Sequence, residues 1–275
     1  MLQELRHFVL IEAHGTFTAA AREAHLSQPA LTASIQRLEE RCGARVFHRG
    51  RRGASLTAEG EALLPRARAA LAAFEDGLRA VAEVSRLETG RVCLGAGATV
   101  STYLLPDILA AFAAEHPGVR YELRESTTAE SLLAVEKGDL DLAIVADGPG
   151  ERWRSDELVL VGRPGDRVET FENAAFVTLG RGTTTRGHLD RLFPEADVVM
   201  ELNSIATVLG NVRAGVGIAL LSRAAVQRDV ADGQLVELAD PRVPIRREFS
   251  LAHRGVDSLP PATAALRRML LASAG

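Results

Sequence analysis

Apolar residues recur at helical spacing from the start of the chain. Leu2, Leu5, Phe8 and Val9 form one stripe and predict a first helix that stops at Gly15. Thr18 then reads as the cap of a short second helix, AAAREA, and His25-Leu26-Ser27 makes a tight turn. In HLSQPALTASIQRLEE, Ser27 is a good N-cap and Pro29 suits a first turn, so a third helix opens at Gln28. At 100° per residue, Leu31, Ile35 and Leu38 share a narrow stripe. Pro29, Thr32, Ala33 and Gln36 lie opposite, with Arg37 at the edge. Solvent-facing helix surfaces normally carry Glu and Lys, so this short polar face predicts a surface that approaches a partner closely.

Further along, Val46 and Phe47 predict a short strand, and Gly50 and Gly53 a turn, in ARVFHRGRRGASLT. The segment from Thr57 is rich in Ala and Leu. Leu64, Leu71 and Leu78 are spaced by seven, and so are Ala67, Phe74 and Val81 between them, which is a heptad seam suited to a dimer helix. The alternative is an amphipathic helix lying on its own domain, and Pro65 predicts a slight bend in either case. After Gly90 the period alternates between 2 and 3.6. Strands are expected at RVCLG, RYELRE, LDLAIVA, ELVLVG, AFVTL, VVMEL, GIALLS, LVELA and EFSLAHR. Helices are expected at TYLLPDILAAFAAE, ESLLAVEK, TRGHLDRLF, IATVLGNVRA, AAVQRDVA and TAALRRMLLAS. Such alternation predicts parallel sheets covered on both faces.

Two short helices, a tight turn and a helix with a polar outer face make a helix-turn-helix, whose second helix enters the DNA major groove. Charge agrees with this. Residues 1 to 57 hold eight arginines against five acids, a net of +3 in a chain of net −4, so the remainder carries −7. Arg45, Arg49, Arg51 and Arg52 cluster on the glycine turn, where guanidinium groups suit phosphates or a narrow minor groove; the alternative is a solvated basic loop.

At this point the chain resembles the LysR-type transcriptional regulators. Ser27, Gln28, Pro29, Ala30, Leu38, Glu39, Phe47, Arg49, Leu56, Thr57 and Gly60 match that family's head pattern in order. YLLPDILAAFAAEHPGVRYEL, GDLDLAI and VRAGVGIALLS match its ligand-binding half. The resemblance implies a multidomain fold: an all-α winged helix-turn-helix over residues 1–58, a long linker helix over 59–89, and a two-lobed α/β effector-binding domain like a periplasmic binding protein over 90–275. Lobe I would hold about 90–161 and 247–275, and lobe II about 162–246. It further implies a double-stranded DNA operator, a small-molecule effector and self-association into a dimer or the family's usual tetramer, and it leaves RNA polymerase open as a partner. DNA contacts are expected from Thr18, Ser27, Gln28, Pro29, Thr32, Ala33, Gln36, Arg37, Arg49, Arg51 and Arg52, and dimer contacts from the heptad positions. Where the family usually has Ser and a basic or long polar residue, this chain has Thr32-Ala33. Ala33 offers only a methyl contact, or is plain helix filler.

The second half carries more hydroxyl and amide groups at helix starts than capping needs: Thr99, Ser101 and Thr102; Thr127 and Thr128; Thr183, Thr184 and Thr185; Asn203 and Ser204. In an open α/β sheet these starts lie at the carboxyl ends of the strands, where ligands bind and free N–H groups favour anions. Gly180, Arg181 and Arg186 flank one of them in GRGTTTRG, so a small carboxylate-bearing effector is expected. A rival reading is a nucleotide-dependent enzyme, because Gly95-Ala96-Gly97-Ala98-Thr99-Val100 follows a strand with Glu122 on the next one. That motif lacks its third glycine, and the sequence shows no activated nucleophile, acid–base pair or metal-ligand spacing, so neither catalysis nor a cofactor is expected. A solute receptor is the other rival. No apolar run is long enough for a membrane span and the N-terminus has no signal-peptide pattern, which together predict a cytoplasmic protein. Cys42 and Cys93 read as reduced, buried structural thiols.

Overall fold

The computed structural model describes residues 1–50, 53–85, 90–166 and 170–274, and for residues 49, 79, 80 and 82–85 the backbone alone. The chain divides into two compact units, a head comprising Met1–Ser85 and a body comprising most of the rest.

The head opens with α1 (Leu2–His14), α2 (Phe17–Glu23) and α3 (Gln28–Cys42). Gly15 ends α1 in the left-handed region, as expected. The cap of α2 is Thr16 rather than Thr18: its side chain accepts from the Ala19 N–H at 3.1 Å. Thr18 lies in the first turn instead, and its hydroxyl donates to Gln28 Oε1 at 3.3 Å. Ser27 caps α3 by accepting from the Ala30 N–H. The buried face of α1 is rotated from the expected stripe. Phe8 and Ile11 are fully buried together with Glu4 and His7, while Leu5 and Val9 flank the core.

Strands β1 (Phe47–Gly50) and β2 (Gly53–Leu56) form an antiparallel wing, with Phe47 in tilted contact with Phe8 and edge-to-face contact with Phe17. Gly53 is required here, because a Cβ would fall 2.5 Å from the Gly15 carbonyl oxygen and its φ is +128°. Helix α4 (Ala58–Ser85) runs unbroken through Pro65. Several residues of the head motif act as internal fasteners. Glu39 accepts from the Val46 N–H at 3.0 Å, Thr57 donates to the Arg45 carbonyl at 2.7 Å, and the Gly60 N–H donates to the Thr57 hydroxyl at 3.1 Å. A Cβ on Gly60 would meet the Val46 carbonyl at 2.2 Å, so only glycine lets the start of α4 pack this closely. Cys42, expected to be buried, is exposed at the end of α3; Cys93 is buried. The packed stripe of α3 ends at Leu38, one turn short of Cys42, which explains the difference.

In the body, β3 (Arg91–Ala96) leads to a single π-helical turn (Val100–Leu104) and α5 (Pro106–Glu115). One continuous helix was expected there, but Pro106 has no N–H to continue the ladder and instead starts the second segment. Then come β4 (Arg120–Glu125), α6 (Thr128–Lys137), β5 (Leu142–Ala146) and the twelve-residue β6 (Glu151–Gly162). The second lobe contains β7 (Ala175–Leu179), α7 (Thr184–Leu192), β8 (Asp197–Leu202), α8 (Ile205–Arg213), β9 (Ala219–Ser222), α9 (Arg223–Ala231) and β10 (Val236–Leu238). The chain returns along β11 (Ile245–Ala252) and closes with α10 (Pro261–Ala272).

β3 pairs in parallel with β4 and β5, and β7 with β8, as the alternating pattern predicts. The fully parallel expectation fails at the long strands. β11 is antiparallel to both β5 and β6, and β6 is antiparallel to β9 and β10. One of the two long strands carries the chain out of the first lobe and the other brings it back, so they run in opposite directions. Each lobe is covered on both faces. Trp153 and Phe249 join Leu94, Phe112 and Leu266 in one core of the first lobe, while Cys93, Val135 and Leu140 form the other. Val159, Val177 and Val208 fill one core of the second lobe, and Leu160, Phe176 and Phe193 the other.

Candidate functional site

Two surfaces concentrate the predicted chemistry. The first is the outer face of α3. Leu31, Ile35 and Leu38 are buried, which leaves Gln28, Pro29 and Gln36 exposed and Thr32 and Ala33 half-buried. Ser27 is engaged as the cap. The N-terminal ammonium, with Arg37 donating at 3.2 Å, holds the Glu4 carboxyl below its usual range. The bond engages the Nε of Arg37, whose side chain is otherwise exposed. Behind the face, His7 Nδ1 lies 2.7 Å from the Ser34 hydroxyl, and burial pushes the His7 ring below its ordinary value. Ser34 lies beside Leu31 and Leu38 on the buried side of α3, so its place in the core follows the helical period, while its pairing with His7 does not. Arg49 lies on β1, and Arg51 and Arg52 fall outside the described residues.

Of the heptad positions, Ala67 is buried and Leu64 partly buried in the head's own core, so the first part of the seam packs within the protomer. Arg6 with Glu75 and Arg68 with Glu12 fasten α1 to α4 alongside it. Leu71 is half-buried. Phe74, Leu78 and Val81 are 44%, 53% and 66% exposed and form an unpartnered apolar stripe.

The second surface is a cavity of about 440 Å³ between the lobes of the body. Thr99, Thr127 and Thr128 line it from the first lobe, and Gly180, Arg181, Thr183, Thr184 and Asn203 from the second, with Thr185 beside them. Ser101 and Thr102 do not line it: the Ser101 hydroxyl turns back to the Gly97 carbonyl at 3.1 Å, and Thr102 is exposed elsewhere on the π turn. Arg186 is also diverted. It is buried and bonded to Asp190 at 2.6 Å and Glu201 at 2.7 Å.

The sequence reading missed the residue at the centre of this cavity. Arg247 on β11 is 3% exposed and donates twice to Asp156 on β6, at 2.9 and 2.7 Å. It also donates to Thr99 at 3.1 Å and Thr185 at 3.3 Å, so one guanidinium binds a hydroxyl from each lobe. Ser222 donates to the other oxygen of Asp156 at 2.9 Å. A signal was present: Arg247 shares strand parity with Ile245 and Phe249, and an arginine at an inward position is rare unless paired. Glu125 and Glu130 also line the first-lobe wall.

Many of the lining hydroxyls are already engaged. Thr127 and Glu130 form a reciprocal capping pair at the start of α6, with the Thr127 N–H and hydroxyl both donating to Glu130 at 2.8 Å. These bonds hold the Glu130 carboxyl below its usual range. Thr183 caps α7, and Thr128 bonds to the backbone of Ala146. The side chains of Arg181, Thr184 and Asn203 have no hydrogen bond among the described residues. Leu179, Leu202, Ile144 and Phe249 supply apolar lining. The arrangement can therefore hold a small molecule by its polar ends without rearranging its own caps.

Comparison with known proteins gives a family match for each half of the chain. The family model for the LysR substrate binding domain matches residues 85–275, and that for bacterial regulatory helix-turn-helix proteins of the lysR family matches residues 2–61. A probable RuBisCO transcriptional regulator from Nostoc is 31% identical over 258 residues, covering 85% of this chain and 77% of its own. Among solved structures, full-length LysG of Corynebacterium glutamicum with bound effector Arg aligns at TM-score 0.68 and 18% identity, over 100% of this chain and 98% of its own. Vibrio fischeri DarR in complex with DNA aligns at TM-score 0.58 and 18% identity, over 98% of each chain.

Proposed function

The chain belongs to the LysR family of bacterial transcriptional regulators, and from that premise we propose that its DNA binding is controlled by a small carboxylate-bearing effector held in the cavity between the lobes. The observation that carries this reading is the convergence of Arg181, Thr184 and Asn203 on one cavity, each with an uncommitted polar side chain. The start of α7 adds backbone N–H groups and partial positive charge at the same end, which also suits a carboxylate. LysG, solved with Arg as its effector, supports a small molecule as the ligand class. An effector that binds one lobe arrangement better than another shifts that equilibrium by its differential affinity, which is all that regulation requires thermodynamically.

On the DNA side, Gln28, Thr32 and Gln36 offer hydrogen-bonding groups to base edges, with Pro29 and Ala33 allowing close approach and Thr18 orienting Gln28. Arg49, Arg51 and Arg52 of the wing supply phosphate or minor-groove contacts. Phe74, Leu78 and Val81 continue from Leu71 at heptad spacing and pair two protomers through α4. The domain boundaries proposed above follow the same division, with both lobes sharing β6 and β11.

Arg181→Ala tests the cavity reading. The variant keeps the melting temperature and operator affinity of the parent, because the exposed Arg181 side chain bonds to no other described residue. A metabolite that raises the parent's melting temperature should lose that effect in the variant. An effector response that survives intact in Arg181→Ala removes the carboxylate from this end of the cavity.

A further inference from the structure

The cavity is not uniformly cationic, and its two walls carry opposite character. From the second lobe come the Thr184 hydroxyl, the Asn203 amide and the guanidinium of Arg181, which makes no hydrogen bond among the described residues and lies near Glu201. From the first lobe come two carboxylates, Glu125 and Glu130. Glu125 receives only a weak contact from Ser101 at 3.3 Å, and Glu130 uses one oxygen, Oε2, as the cap of α6. The remaining charge, Arg247, is matched at close range by Asp156. A ligand with anionic groups at both ends would set one of them against Glu125 and Glu130, where like charges repel across a short gap.

Resting on the reading of this cavity as the effector site, we propose that the effector is a compact zwitterion of the α-amino-acid class, its carboxylate on Arg181 and Thr184 and its ammonium group between Glu125 and Glu130. Each end then makes charge-assisted hydrogen bonds, and the ammonium offsets one of the two carboxylate charges of the first-lobe wall. The Cβ position of Gly182 in the second lobe lies only 3.9 Å from Thr127 Cγ2 in the first. A zwitterion bridging the walls therefore links two lobes that already approach each other, and its binding favours the closed arrangement. The apolar lining from Leu179, Leu202 and Ile144 leaves room for a side chain.

The test is thermal stabilisation of the full chain by three matched sets of compounds: α-amino acids, their 2-oxo acids, which lack the ammonium group, and the corresponding decarboxylated amines. At least one amino acid should raise the melting temperature, and its oxo acid and its amine should each bind about ten- to a hundredfold more weakly, the effect of losing one charge-assisted contact. Glu125→Gln and Glu130→Gln preserve hydrogen-bond acceptance, including the α6 cap, while removing the charge. The double variant should lose most of its affinity for the amino acid, with only a small fall in its ligand-free melting temperature from the neutralised cap of α6. An oxo acid or dicarboxylate that stabilises better than any amino acid, and does so through Arg181, would overturn the zwitterion and leave the cavity reading intact. Amino-acid stabilisation that is unchanged in Arg181→Ala and in the Glu125/Glu130 variant would overturn both. Absence of stabilisation by every amino acid would overturn the zwitterion.

Discussion

Removing Asp156 strands a buried charge inside the body. Asp156→Ala leaves the Arg247 guanidinium 3% exposed, with only the Thr99 and Thr185 hydroxyls at 3.1 and 3.3 Å to accept from it. It also deprives the Ser222 hydroxyl of its acceptor. Breaking a buried pair by deleting one partner costs about 3–5 kcal/mol, because an uncompensated charge stays buried. For a unit of this size that corresponds to a fall in melting temperature of roughly 6–20 °C. Trp153, the single tryptophan in the sequence, is buried in the first-lobe core, so its fluorescence during urea unfolding reports the body. The double variant Asp156→Ala/Arg247→Met removes the charge as well and should recover most of the loss, to within about 2 kcal/mol of the parent. It should not recover effector response, because the hydroxyls of Thr99 and Thr185 lose the donor that positions both walls. The reasoning fails if Asp156→Ala costs less than about 1 kcal/mol, or if the double variant falls by the sum of the single losses.

The remaining expectations concern the head and its assembly. Burial, with Arg37 and Arg6 adding to it, holds the His7 ring below its ordinary value of 6.5. Between that value and the lower folded one the unfolded chain binds a proton that the folded head does not, so stability falls as the pH drops below about 6.5. His7→Gln should remove this component; a difference in head melting temperature between parent and variant that stays constant from pH 7.5 to 5 would contradict the assignment. Phe74→Asp with Leu78→Asp should weaken dimerisation at least about a hundredfold, since burying each such side chain contributes about 1.5 kcal/mol or more. Sedimentation of an unchanged dimer would place the interface elsewhere. Gln36→Ala should alter preference among operator sequences by about 1–3 kcal/mol with the salt slope unchanged, whereas Arg49→Ala with Arg52→Ala should flatten the salt slope for all sequences. Equal salt slopes in the parent and the wing variant would take those arginines out of the interface.

What the sequence determined by itself was local or periodic. Ser27 as a cap, Gly15 as a stop, the stripe Leu31-Ile35-Leu38 and the strand–helix alternation after Gly90 depend on neighbours within a turn or two, and the coordinates agree with each. The capping of α2 was a near miss, since Thr16 and Thr18 are chemically equal candidates two residues apart and only the packing of Phe17 against Phe47 decides between them. Tertiary structure decided what depends on distant partners. Leu64 and Ala67 belong to the same heptad seam as Leu71 and Phe74, yet the head's core claims the first two and leaves Phe74 exposed. Arg181 and Arg186 flank the same three threonines, but Asp190 and Glu201 bind Arg186 directly, while the Arg181 side chain lines the cavity. Arg247 meets Asp156 across 91 residues and Thr99 across 148, and Glu125, Glu130 and Arg181 line one cavity only because two long strands connect the lobes. A one-dimensional pattern encodes which face of an element is buried, because burial follows the element's own period. It does not encode which charge meets which, because that depends on where the chain returns.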